Sequence, residues 1–232
     1  MSRERTAALA GVLYVALDVV VGVMAGAPPS PAAPQGEIIA YIAEHRAGLA
    51  AGLWLFGLAT IALLWWFASL WVAMVHAEAG TPRLAVVSLT GLLLGGTMAL
   101  ASAVVMAVLG LLPTDADGVV ALYTLGAVLL SAAGFGLAAH LVATNVLAAG
   151  SHTLPRWLVV VGLVSAVAFL SSAVLGATST DTRSNTISLV GFVFWLAWIL
   201  GVSYRMNDLT PRPAVVGEPR AAPDALDRGR PR

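Results

Sequence analysis

The chain has 232 residues, of which 59% are hydrophobic and only 10% charged, against roughly 25% charged in an ordinary soluble domain. Its formal net charge is zero, so nothing in the total points to nucleic acid as a partner. It has no Cys, which excludes disulfides, thiolate metal sites, Fe–S ligation and cysteine nucleophiles.

All 12 basic residues are Arg. With the high Ala, Gly and Val content, that bias indicates a GC-rich bacterial genome. The apolar residues fall into blocks with the charges gathered between them. Each block is about 20 residues long, the length of helix needed to cross a hydrocarbon core about 30 Å thick. The expectation is an all-α, polytopic transmembrane helical bundle of about six spans.

The first span covers residues 6–26, after the basic start Met1-Ser-Arg-Glu-Arg. Ala25-Gly26-Ala27 resembles a signal-peptidase site, but the apolar stretch is long for a signal peptide and Pro28 would follow the cut. It is therefore read as a retained helix. Residues 28–36, PPSPAAPQG, cannot continue a helix. In residues 37–46, EIIAYIAEHR, Ile38, Ile39 and Ile42 recur at helical spacing and Glu37 and Glu44 share another face. That pattern suits either a short interfacial helix lying on the membrane or a polar extension of the next span.

The second span, 48–75, carries Trp54, Trp65, Trp66, Phe67 and Trp71. Trp71 suits an interfacial belt. The third span is 84–112. The connector PTDADG, with Asp115 and Asp117, reads as a turn and helix cap, because the remaining ligands of an acidic cation loop are missing. The fourth, fifth and sixth spans are 119–147, 157–177 and 185–204. Ser184 and Asn185 offer cap chemistry ahead of the last of them. Residues 205–232, rich in Pro, Arg, Asp and Ala, are read as a disordered cytoplasmic tail.

Arginine placement sets the orientation. With the N-terminus inside, ten arginines are cytoplasmic and only Arg46 and Arg183 are outside. This fits the positive-inside rule with both termini cytoplasmic. The GxxxG spacings Gly22/Gly26, Gly48/Gly52 and Gly91/Gly95 allow close helix approach within the chain.

Asp18 lies near the midplane of the first span, roughly 16 Å in from Ala7. Intramembrane carboxylates face the bundle interior and find partners. His140 in the fourth span is the only ionisable residue at comparable depth. An Asp18–His140 interaction is expected, with Thr144, Asn145 or Ser165 nearby. Such a group serves either as a proton relay or polar ligand site, or only to orient helices. His45, His76 and His152 lie near the membrane faces without metal-ligand spacing, and His76, Glu78 and His152 read as solvated loop residues. No P-loop and no nucleophile-elbow motif occurs. No cofactor is implied.

The stretch EIIAYIAEHRAGLAAGLWLFGLATIALLWWFASLWVAM (37–74), with LYTLGAVLLSAAGFGLAA and TLPRWLVVVGLVSAV, resembles a group of multi-span membrane proteins of actinobacteria, of a domain-of-unknown-function type. The resemblance covers residues 6–204. It implies six helices in a bacterial plasma membrane and carries no activity with it. Three functions are consistent with this reading. The first is a non-enzymatic accessory, scaffold or small-ligand-binding bundle, whose partners are the lipid bilayer and a membrane protein or a second copy of itself. The second is a small transporter or permease component using Asp18 and His140. The third is an intramembrane lipid-modifying enzyme, for which no nucleophile–base pair is evident.

Overall fold

No water is present in hydrocarbon to satisfy a peptide group, so a spanning segment closes its hydrogen bonds within itself, as a helix. The computed structural model describes residues 3–78, 80–113, 118–178 and 182–209, with side chains for 5–78, 80–113, 118–176 and 186–206. Among the described residues there are six helices and no strand: α1 (Arg3–Ala25), α2 (Gln35–Ala77), α3 (Arg83–Leu111), α4 (Val119–Ser151), α5 (Arg156–Thr178) and α6 (Thr182–Leu209). All six are long and apolar enough to cross a membrane. Even the shortest have 23 residues, roughly 35 Å at 1.5 Å per residue.

Each helix runs antiparallel to the next. Met24 lies beside Gly48 and Gly11 beside Trp66; Arg46 reaches Gly110; Gly91 meets Gly136 and His140; Gly134 meets Phe169; Gly201 meets Leu158. Tyr14 of α1 bonds Trp195 of α6, which closes the sequence into a ring. The start of α1 and the end of α6 therefore lie at one end of the bundle, together with the 78–82 and 152–155 turns.

The surface is inverted relative to a soluble protein. Val23, Ile61, Trp65, Val167 and Leu189 are among many large apolar side chains left exposed, while Asp18, Ser88, Ser102, His140, Thr144, Asn145, Ser165 and Ser203 are buried. Lipid provides a medium for the first set, and the second has to find its partners within the bundle.

Helix α2 has no break before residue 48, which decides between the two readings of residues 37–46. It is one continuous helix of 43 residues, roughly 65 Å long, so residues 37–46 extend the second span rather than form a separate surface helix. The reason is a second small core. Ile38, Tyr41, Ile42 and Leu49 pack on Leu109, Val119 and Tyr123, leaving Glu37 and Glu44 exposed. Arg46 locks this projection by donating from Nε to Gly110 O (3.3 Å) and from Nη2 to Leu112 O (2.6 Å), carbonyls at the end of α3, where helical acceptors run out of intrahelical donors. The proline-rich segment after α1 is held by Tyr41 Oη donating to Ala25 O (2.8 Å) and Tyr123 Oη to Pro29 O (2.6 Å). Gly26, at φ +64°, ends α1 in the left-handed conformation that glycine adopts without penalty.

At the opposite end, Pro82 precedes α3 and offers no side-chain cap. Glu78 does this from the end of α2, accepting from Leu84 N (2.7 Å) and Ala85 N (3.0 Å). Burial alone would raise the Glu78 carboxyl, but these amides, that of Arg83 and the Arg83 guanidinium hold it below the usual value. The sixth helix begins at Thr182 and continues to Leu209, wider at both ends than the expected 185–204. The cap chemistry expected at Ser184 and Asn185 falls on side chains outside the described residues. So do Asp115, Asp117 and the tail from 210 onward.

Small residues set one helix contact above the others. A Cβ on Gly91 would stand 2.7 Å from Gly136 O and 2.7 Å from His140 N, and one on Gly95 would stand 2.9 Å from Ala133 O. The backbones of α3 and α4 thus touch. Of the other GxxxG glycines, Gly22 and Gly52 face open space, while a Cβ on Gly48 would stand 2.7 Å from Met24 O. The spacing acts as a packing motif only in α3.

Candidate functional site

Residues Ala7, Gly11, Tyr14, Val15 and Asp18 recur every three or four positions and form the buried face of α1. Asp18 is 3% exposed, four residues after Tyr14 and therefore one turn beyond it. The Trp195 Nε1–H donates to Tyr14 Oη at 2.9 Å. That leaves the tyrosine's own O–H available to the Asp18 carboxylate one helical turn on. The second carboxylate oxygen, Oδ2, is buried and has no partner.

His140 is fully buried on α4. Its ring makes edge-to-face contacts with Phe67, Trp195 and Trp198 at centroid distances of 5.5, 5.6 and 5.9 Å. Nδ1 lies 3.1 Å from Ser88 O and 2.8 Å from Ser88 Oγ. A carbonyl only accepts, so Nδ1 carries the proton. The hydroxyls then order themselves. Thr144 Oγ1 donates to His140 O at 2.8 Å, so it accepts from Ser88 Oγ at 2.9 Å. Ser88 Oγ in turn shares the Nδ1 proton. The lone pair of the neutral ring therefore sits on Nε2, which is buried and has no partner.

This assignment decides the meaning of the Ser88–His140 contact. A serine beside a histidine suggests nucleophile and base. Here the nitrogen facing the serine is already protonated, so it is not placed to remove the hydroxyl proton.

The expected direct bond between Asp18 and His140 is not made. Both residues reach Trp195 instead, Asp18 through Tyr14 and His140 by ring contact, because an indole fills the space between α1 and α4. Thr144 joins the His140 network. Asn145 lies one residue on and faces α5 and α6: Trp198 Nε1 donates to its Oδ1 at 3.2 Å, its Nδ2 donates to Leu141 O at 2.8 Å, and Gly162 leaves room for the carboxamide. Ser165 is separate, donating to Gly191 O at 2.8 Å across α5 and α6.

The sequence reading omitted Ser88, Tyr14, Trp195 and Trp198. Signals for two of them are local. Tyr14 precedes Asp18 by four residues, and Ser88 stands three and seven residues before Gly91 and Gly95, on their face of α3. The position of Trp195 has no comparable local signal.

Beside Thr144 a narrow cleft of about 20 Å³, enough for one water molecule, opens between α2, α4 and the 152–155 turn; Leu70, Met74, Leu147 and Leu154 line it. His45 and His76 bond to their own helix, donating to Tyr41 O and Val72 O. Among the described residues no group of three or more His, Asp or Glu side chains is placed to hold a metal ion. No family model, curated protein or solved structure matches the chain.

Proposed function

We propose that this is a non-enzymatic bundle of the bacterial plasma membrane, with both termini cytoplasmic, that binds and passes a proton at its buried core as a small transporter or permease component. The single observation that carries the reading is the pair of orphaned acceptors, Asp18 Oδ2 and His140 Nε2, inside an otherwise satisfied polar core. Each unsatisfied buried polar atom costs about 1–3 kcal/mol. A core that served only to orient helices would be more stable with apolar or fully bonded residues at both positions. Both orphaned atoms belong to groups that exchange protons, and intramembrane ionisable residues mark ion and proton paths. The rings of Phe67, Trp195 and Trp198 pack closely around His140, which suits a proton better than a larger solute.

That same close packing favours a second reading, the accessory or scaffold bundle. Phe67, Trp195 and Trp198 fill the space around the His140 ring, and a static core of this kind suits a protein whose work is done at its surface, against lipid, a membrane protein or a second copy. The resemblance to actinobacterial membrane proteins is consistent with either.

The two part in reconstituted vesicles carrying an internal pH dye. Under an imposed potential the proton-handling reading expects a proton flux above empty vesicles. Asp18→Asn and His140→Phe should each abolish it while the protein stays folded. Flux equal to that of empty vesicles in the unaltered protein would reject this reading in favour of the scaffold.

A further inference from the structure

The cleft beside Thr144 touches the polar core. It opens at the end of the bundle that carries the termini, next to the turn between α4 and α5, and its lining is apolar apart from Thr144 and Thr153. Thr144 lies seven residues before the end of α4 at Ser151, roughly 10 Å in from that end. The side chain is 1% exposed. Its remaining neighbour is the Met74 sulfur, 3.8 Å from Oγ1, on a flexible and easily displaced side chain. Behind Thr144 the hydroxyl of Ser88 leads to His140 Nδ1 without a break. Two hydroxyls thus link one nitrogen of a buried imidazole to the wall of the cleft, while the other nitrogen faces the aromatic core.

We infer that this cleft is a one-sided water path to His140, with the Met74 side chain as its gate and Thr144 and Ser88 as the proton carriers. Its use for proton movement rests on the proton-handling function above. The transfer follows from the tautomer. A proton taken up at Nε2 makes the ring an imidazolium. The Nδ1 proton then passes to Ser88 Oγ, the Ser88 proton to Thr144 Oγ1, and the Thr144 proton, released from His140 O by rotation, to a water in the cleft. One proton enters at Nε2 and one leaves as hydronium, and no other bond changes. The imidazole ends as the Nε2–H tautomer and resets by moving that proton back to Nδ1 or by ring rotation. Uptake from the cleft is the same sequence in reverse.

The absence of Cys from the chain permits a direct test. Thr144→Cys creates a single thiol at the base of the cleft. The full-length protein in sealed vesicles of each orientation is treated with a charged, membrane-impermeant methanethiosulfonate. Modification is expected only from the face bearing the termini, and adding Met74→Ala should speed it by about tenfold, as thiol reactivity follows exposure. Ser102→Cys, at a buried site bonded to Gly126 O in the other half of the bundle, should stay unmodified from that face. Ala148→Cys, which also lines the cleft, serves if the Thr144 variant does not fold. No modification of either cleft thiol with Met74→Ala present, or modification from the opposite face, overturns the path. Modification without proton flux would leave the water path standing and remove the proton-handling function, whereas flux without modification would do the reverse.

Discussion

Replacing Gly136 by alanine probes the contact that places Ser88 against His140. An added methyl would meet Gly95 N, and would stand 2.6 Å from Gly91 O and 2.8 Å from Gly95 Cα. All three are backbone atoms, so no side chain can rotate away. Restoring an ordinary contact of about 3.5 Å requires α3 and α4 to separate locally by roughly 1 Å. Overpacking of this kind costs about 1–3 kcal/mol. Alanine's better helix propensity offsets up to about 1 kcal/mol. Gly96→Ala supplies the reference, since a methyl there meets nothing within 4 Å and gains the same propensity. Denaturant unfolding of the two variants in one detergent should therefore place Gly136→Ala below Gly96→Ala by about 1–3 kcal/mol. Stabilities agreeing within about 0.5 kcal/mol, the usual scatter of neutral substitutions, would refute the claim that backbone contact sets this helix pair.

Arg46→Ala should destabilise the protein by about 1–2 kcal/mol in the same assay, a charge-assisted bond to Leu112 O being discounted for its part-exposed setting. Arg46→Lys should recover only part of that, since one ammonium does not reproduce the two-atom grip on Gly110 and Leu112. The Glu78 carboxyl is held below its ordinary 4.5, so its contribution is present above the unfolded value and is lost as pH falls through the lower folded one. Glu78→Gln should flatten the acid side of the stability profile, and an unchanged profile would deny it the capping role. Tyr123→Phe, which deletes the 2.6 Å bond to Pro29 O, should speed hydrogen exchange or proteolysis in residues 26–34 and leave the α3–α4 contact unaffected.

The spans were legible because hydrocarbon imposes one length and one secondary structure on them. Helix boundaries were less so. Whether residues 37–46 form a surface helix or extend the second span was not legible, because an apolar stripe at helical spacing suits either. The structure buries Ile38, Tyr41 and Ile42 on Leu109, Val119 and Tyr123, which only the folding of α3 and α4 against α2 supplies. Asp18, His140 and Thr144 were legible as polar residues where lipid forbids exposure. Their partners were not, because hydropathy ranks depth and says nothing of azimuth. Trp195 fits either the bundle or the lipid by composition, and only the closure of α6 onto α1 puts it between Tyr14 and His140. The GxxxG spacing failed at Gly22 and Gly52 for the same reason, as a small residue permits contact without specifying which helix supplies it.

The central claim is that His140 presents a bare, exchangeable nitrogen to the bundle core. Nitrogen-15 NMR of the histidines in bilayers tests it most directly, with the His140 signals identified by their loss in His140→Phe. The account predicts a neutral ring at neutral pH with the proton on Nδ1 and an unprotonated, weakly bonded Nε2. A ring protonated on Nε2 instead, with Nδ1 bare, would contradict the proton assignment on which the function and the cleft path both depend.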